Sequence, residues 1–525
     1  MEIVLPLGPF LMRSIQQNFA QVPGARDRMI EFLPVLRLSG QRRNNRILQL
    51  MIEFGPVLRI TDGRRNTMGL KTNASSAMQD NHRTKGNSLR NGDGSILVSV
   101  TPAPGHVNPM LAIACHLGDR GYPVIFNTAE VFRKQVESEG LRFVPFTGKA
   151  NFDYRTCNKF LPEGKTLKPG PEELIHNAKH VFGDTMLDQC KGIRDIMGHE
   201  PIGLILTDFT FFGILPLLVG PENNRPPIVS FGVSPVVLTS IDTSPMFGPA
   251  TTVEQRERIR EETRQFQARL ACVNEYLDDL LRGYGCGRLP AFFLDCLYTM
   301  PDLFLQLTAD AFEFPRTDLP SHLKFAGPVL PRSSSSARLP DWWKERDGSK
   351  PLVLVTQGTV ANSNLDELIG PTLQGLSTED VMVVATTGKP VEALTTPVPS
   401  NAKVIPFLPL VEALPEVDVF VTNGGFGAVN QALSMGVPIV VGGETEDKAF
   451  VAARLAWTGA GINLETSCPA PERVRSAVCE VLNDGSYRAN ARKLQKNFAQ
   501  YDALDRITRH IAPFLAGPTL ISRTA

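Results

Sequence analysis

VDVFVTNGGFGAVNQALSMGVPIVVGG, residues 417–443, reads as an apolar strand ending at Thr422 and Asn423, a turn with glycines at 424, 425 and 427, a helix of small and apolar residues, and a second apolar strand. Strand, helix and strand in that order describe a crossover in a parallel sheet, since parallel neighbours need a connection long enough to return along the sheet. Glycine at the strand-to-helix turn lets the backbone approach a ligand closely, and the N–H groups at a helix start favour a phosphate. A tight turn holding no ligand is the plainer reading of a lone glycine-rich loop.

The flanking sequence repeats the pattern. PLVLVTQGT, VMVVATTG, KVIPFLP, DVFVTNGG and PIVVGG are short apolar strands with helical stretches between them, and TQGTV at 356–360 is a second phosphate-type turn, with Gly358 for close approach and a hydroxyl on Thr359. Before them, SILVSVT, YPVIFNT, RFVPF, IGLILTD and PPIVSFGVS alternate with helices in the same way. The expected fold is therefore α/β, two Rossmann-like domains facing each other across a cleft, with ligands beyond the carboxyl ends of the strands. The boundaries follow composition: an N-terminal extension over 1–94, a first Rossmann-like domain over 95–330, a Ser/Pro-rich linker over 331–350, a second Rossmann-like domain over 351–495, and a helix and tail over 496–525.

The chain has 525 residues, 42% hydrophobic and 21% charged, with a formal net charge of +0, so no basic excess recruits nucleic acid. Its 8 cysteines form no C-x-x-C pair and read as reduced, cytosolic thiols. The N-terminus lacks the basic region and cleavage site of a secretory signal. IGLILTDFTFFGILPLLVG, 202–220, has the length of a membrane span, but Asp208 and Pro216 interrupt it, and a buried strand followed by a buried helix accounts for it. The expected location is cytoplasmic, with peripheral membrane contact as a second reading. Within the extension, MIEFLPVLRLSGQRRN at 29–44 recurs as MIEFGPVLRITDGRRN at 51–66, a short duplication with too few copies for a solenoid.

Two further residues bear chemistry. In TPAPGHVNPM, His106 follows Pro-Gly after the first strand and precedes a helix, where an imidazole titrating near neutrality can take a proton from a hydroxyl. Asp208 ends the strand IGLILTD; unpaired it would be costly, and it can orient that imidazole. A helix-capping structural role is the plainer alternative for His106. Phenylalanines at 209, 211 and 212, and others in AFFLDCLYTMPDLFLQLTADAFEF, are either core or the wall of an apolar pocket. The rival dinucleotide fingerprint fits poorly, because Gly425 and Gly427 are followed by Asn430 where it requires glycine.

PGHVNP and the 421–464 segment together resemble the UDP-dependent glycosyltransferases of the GT-B fold, in particular the macrolide and sterol glycosyltransferase-like enzymes, over about residues 95–515. The resemblance implies an inverting, metal-independent enzyme that moves a sugar, glucose above all, from a UDP-sugar to a hydroxyl of a small lipophilic acceptor such as a polyketide, phenol or sterol. It implies His106 as catalytic base and Asp208 as its partner. Gly358 and Thr359 then lie near the diphosphate, Phe407 stacks on uracil, and Asn423, Gly425, Gly427 and Ala428 contact the diphosphate. Gln431 falls on a ribose-binding position, and Asp447 and Lys448 fall on the pair that reads sugar hydroxyls. Asn423 stands where relatives often carry His, Lys448 where they carry Gln, and Leu410 where a Gln commonly touches the base. Asn423, Ala428 and Lys448 motivate the alternative of a catalytically silent member acting as a binding or partner-activating subunit. No cofactor, metal or nucleic-acid partner is expected.

Overall fold

The computed structural model describes residues 94–156, 167, 170–220, 225–332, 338–346, 348–358 and 362–515, all within a compact unit spanning 87–525. The expected extension through residue 93, including its duplicated segment, lies outside the described residues.

The apolar runs form two parallel sheets. In the N-terminal half, β1 (Ser95–Ser99), β2 (Val124–Thr128), β3 (Arg142–Pro145), β4 (Ile202–Asp208) and β5 (Ile228–Gly232) are followed by a two-stranded antiparallel ladder, β6 (Thr243–Ser244) with β7 (Gly248–Pro249), then by β8 (Leu303–Gln306) and β9 (Leu323–Phe325). The main sheet runs β3-β2-β1-β4-β5-β8-β9. In the C-terminal half, β10 (Leu352–Thr356), β11 (Met382–Thr386), β12 (Ala402–Ile405), β13 (Val419–Thr422), β14 (Ile439–Val441) and β15 (Gly461–Asn463) order as β12-β11-β10-β13-β14-β15. Val98 pairs with Phe126 and Leu206, and Leu354 with Val384 and Phe420. Helices cover both faces of each sheet, which is why these strands are continuously apolar rather than alternating. Each sheet accordingly has a hydrophobic core on either side. The 202–220 stretch is the buried β4 followed by the buried helix Leu215–Leu218, and among the described residues no helix is long and apolar enough to cross a membrane.

Three features depart from the sequence reading. The helix after β1 starts at Pro104, so His106 sits in its first turn rather than ahead of it; proline at a helix start needs no N–H partner and has its φ preset. The segment expected as a linker contributes to the C-terminal half, where the helix Asp341–Lys344 places the Trp343 indole in the core, its Nε1–H donated to Glu416 at 3.1 Å. The tail helix Ala503–Leu515 returns to the N-terminal half and buries Ile507 and Ile511 in its core.

The chain thus passes between the halves twice, and the passages touch at Gly327 and Tyr501. Gly327 has φ +95°, and a Cβ there would lie 2.3 Å from the Tyr501 Cβ, so glycine is required. Tyr501 is held in turn by its hydroxyl on Asp310 at 2.9 Å and by the Arg506 guanidinium 4.1 Å over its ring. Gly327→Ala is expected to destabilise the protein by about 1–3 kcal/mol, as overpacking does, measured by urea denaturation.

Candidate active site

Each sheet reverses its direction of growth at an interior strand: β1 lies between β2 and β4, and β10 between β11 and β13. At such a switch point the connections leave on opposite faces and a crevice opens beyond the carboxyl ends. His106 follows β1 and Asp208 ends β4; Gln357 and Gly358 follow β10, and Asn423 with the glycine turn follows β13. Both sets of residues singled out in the sequence therefore stand at switch points. The charges of Asp447 and Glu446 in the C-terminal half reach His106 in the N-terminal half.

Asp208 is fully buried, and every contact to its carboxylate is a donor. Oδ1 lies 2.8 Å from His106 Nδ1 and accepts from the Thr210 N–H at 3.1 Å and hydroxyl at 2.6 Å, while Oδ2 accepts from the Thr101 N–H at 2.7 Å. A carboxylate so supplied is acceptor only, so Nδ1 carries the proton and the neutral ring presents its lone pair on Nε2. The Thr210 proton is directed to Asp208, which makes the Thr101 hydroxyl, 3.1 Å away, the donor to Thr210. His106 keeps 22% of its side chain exposed. Burial alone would lower its pKa, but the charge and hydrogen bond of Asp208, helped by Asp447 and Glu446, outweigh burial and raise it above 6.5. Burial would likewise raise the Asp208 pKa, and the imidazole, Thr210 and Thr101 hold it below the usual value.

On the other side, Gly424 has φ +90° and its Cβ would lie 2.6 Å from Val441, while a Cβ on Gly443 would lie 2.0 Å from the Asn423 carbonyl. These two glycines, absent from the sequence-based set, let β13 and β14 close on each other at the turn. Gly425 caps the helix Phe426–Ser434, which no side chain caps, and neither Gly425 nor Gly427 has an atom within 4 Å of a Cβ built on it. A helix start that no side chain caps, with open space beside its glycines, leaves room for an anion. Asn423 is used differently from expectation: its Nδ2 donates to the Gln357 carbonyl at 2.5 Å, clamping the β13 turn to the β10 turn. Gln357 holds its own loop, with Oε1 accepting from the N–H groups of Leu368 and Ile369 and Nε2 donating to Asn364. Gly358 takes φ +71°; Thr359 lies outside the described residues.

Phe407 follows β12 and is 70% exposed, an unusual state for an aromatic ring. Gln431 is half-buried on the glycine-turn helix. Burial, reinforced by Glu446 against Lys448 and His106, pushes the Asp447 carboxyl up to about 6. The Lys448 ammonium is buried and already paired with Glu446, so it is not a free cation in the cleft. Leu410 packs on the core of the C-terminal half. The phenylalanines resolve as core: Phe209, Phe211 and Phe212 are buried, as are Phe293, Phe304, Phe312 and Phe314, and Phe211 stacks on Phe146 at 5.7 Å. Of these, Phe314 also borders a cavity that Leu319, Phe325 and Trp457 line with it.

Two parallel-sheet domains with a His–Asp pair on one and a glycine turn on the other define the architecture of a GT-B glycosyltransferase. The calicheamicin glycosyltransferase CalG4 shares this fold, with a TM-score of 0.63 at 20% identity over 82% of this chain and 100% of that one. Residues 371–509 match the family model described as the erythromycin biosynthesis protein CIII-like, C-terminal domain. UDP-glycosyltransferase 2 of Phaeomoniella chlamydospora is 36% identical over 79% of this chain and 94% of its own length, and 4'-demethylrebeccamycin synthase of Lentzea aerocolonigenes is 35% identical over 78% and 96%. The chain belongs to the UDP-glycosyltransferase family and is a glycosyltransferase.

Because Asp208 is what lifts the imidazole against burial, Asp208→Asn is expected to lower the His106 pKa. NMR titration of the ring in wild type and variant, with His106→Ala to assign the signal, measures the shift; an unmoved pKa would contradict the account of the pair.

Proposed function

We propose that this enzyme transfers glucose from UDP-glucose to a hydroxyl group of a small lipophilic acceptor, with inversion at the anomeric carbon. The observation that carries the reading is the His106–Asp208 pair at one switch point, facing an uncapped glycine turn at the other. His106 Nε2 takes the acceptor proton as the hydroxyl oxygen attacks the anomeric carbon, and the bond from that carbon to the diphosphate oxygen breaks. Asp208 holds the tautomer and stabilises the imidazolium that forms, a contribution of roughly 10²–10⁴ in rate for a positioned base.

Negative charge grows on the departing UDP. The first-turn amides around Gly425, Gly427 and Ala428 suit that charge, with Gly358 on the neighbouring turn, and Asn423 acts chiefly by holding the two turns together. Phe407 is the platform for uracil, Gln431 the ribose contact, and Asp447 the acceptor of sugar hydroxyl protons, with Lys448 setting its charge environment. This assignment needs no metal or cofactor. A small-molecule acceptor is supported by the name of the Lentzea relative, and a UDP donor by that of the Phaeomoniella relative.

UDP release from a panel of UDP-sugars with phenolic, sterol and polyketide acceptors tests the reading. Acceptor-dependent release is expected with UDP-glucose and is expected to fall by about 10²–10⁴-fold in His106→Ala; equal release by both proteins would remove His106 as base. The base must be neutral to act and its pKa is raised, so kcat/KM is expected to rise with pH along a limb centred above 6.5. Phe407→Ala is expected to weaken UDP binding by about 1–3 kcal/mol, the range for base–aromatic stacking, as measured by calorimetry.

A further inference from the structure

The helices Phe426–Ser434 and Lys448–Thr458 belong to the C-terminal half, yet each is tied to the N-terminal half by a buried polar contact, and both contacts come from the segment after β8, residues 307–314. Thr308 Oγ1 donates to Asn430 Oδ1 at 2.7 Å, and Asn430 Nδ2 donates to the Phe426 carbonyl at 2.9 Å in the first turn of the glycine-turn helix. At the other end of the segment, Glu313 Oε2 accepts from Arg454 Nε at 2.6 Å, with Glu313 5% and Arg454 2% exposed.

The surroundings make this pair specific. Arg454 also donates to the carbonyls of Val236 at 2.7 Å and Pro245 at 3.3 Å, both in the N-terminal half, and to Phe450 at 3.1 Å in its own helix. Its guanidinium lies 4.6 Å over the Phe314 ring, and Glu313 Oε1 accepts the Val236 N–H at 2.9 Å. Between the two contacts, Ala309 and Phe312 enter the core of the C-terminal half. Desolvation offsets most of the attraction in a buried ion pair, so such a pair is a poor source of net stability; fixing a register is its best-attested use.

We propose that residues 307–314 are a registration element for sugar transfer, in which Thr308 and Glu313 are positioning residues that hold the two donor-side helices, through Asn430 and Arg454, at a set distance from His106. The inference rests on the reading of the cleft as the site of transfer. The helix anchored by Arg454 begins at Lys448, directly after Glu446 and Asp447, and the charges of these carboxylates act on His106 from the C-terminal half, in addition to that of Asp208, which is hydrogen-bonded to the ring. Slippage of that helix moves the sugar subsite and its carboxylates away from the base together. Asn430, which breaks the dinucleotide fingerprint, gains a reason: its amide reaches Thr308.

Thr308→Val, Glu313→Gln and the charge-neutral double variant Glu313→Gln/Arg454→Met test this with three measurements on the full chain: calorimetric binding of UDP, steady-state transfer, and NMR titration of His106. Expected are unchanged UDP affinity, because the donor half keeps its own surface, and a donor KM close to wild type. Against these, kcat is expected to fall by up to about 10²-fold, the cost of a misplacement near 1 Å, and the His106 pKa to fall as Glu446 and Asp447 recede. Combining Thr308→Val with Glu313→Gln should lose less than the product of the single losses, since both act on one register. The double variant leaves no buried charge stranded and so separates register from folding. A loss of kcat that only follows the folded fraction, with the His106 titration unmoved, would overturn the proposal; so would a higher donor KM with kcat intact. The titration needs no turnover, so a wild-type protein that transfers no sugar would sink the functional reading while leaving this inference open to its own test.

Discussion

A parallel sheet cannot continue through a hairpin; each strand must be re-entered from the same end, and where later strands are added on both sides of the first, a crevice forms at its carboxyl edge. β1 and β10 are each the first strand of their half, and each ends up interior. The chemistry of the molecule follows from that ordering. His106 and Asp208 come from strands adjacent in space but separated by 102 positions, and the Gln357 carbonyl and Asn423 amide meet in the same way across 66. Neither pairing could arise from local structure.

Buried charge is the second theme, and the protein uses it where distances matter. Asp208 is ionised in the interior because donors supply both its oxygens. Lys448 is neutralised by Glu446 beneath the glycine turn, and Arg454 by Glu313 across the seam between the halves. Apolar side chains of similar volume would fill these places at little cost to stability. They would not specify one arrangement, and a reaction between a hydroxyl bound by one half and a sugar bound by the other needs one.

Much of the architecture is legible in the sequence because strands buried on both faces appear as unbroken apolar runs with helices between them. β8, β9 and β15 escape that reading. LFLQ sits in a segment whose phenylalanines draw attention to a pocket instead, and LKF and GIN are too short to show a pattern. His106 and Asp208 stand out because each interrupts or closes an apolar run with a titratable group. Thr101 and Thr210, which complete the shell around Asp208, leave no such mark, since a threonine beside a strand end is ordinary. Arg454 in KAFVAARLAWT carries no mark of its burial, and only the tertiary structure shows it enclosed against Glu313. Residue type cannot separate a core ring from a pocket ring, so the phenylalanines stay undivided in the sequence, and most prove to be core. Phe407 and Phe304 are identical letters, one exposed and one enclosed.

The return of the tail helix has a consequence for how the molecule is made. Ile507 and Ile511 complete the core of the earlier-made half, so that half waits, through the synthesis of the whole second sheet, for side chains that follow it in the chain. Domains generally fold as units from the N-terminus during synthesis. Here the first half is instead closed by a helix that follows the second, so a chain cut short before Ala503 leaves the N-terminal sheet without its full complement of neighbours.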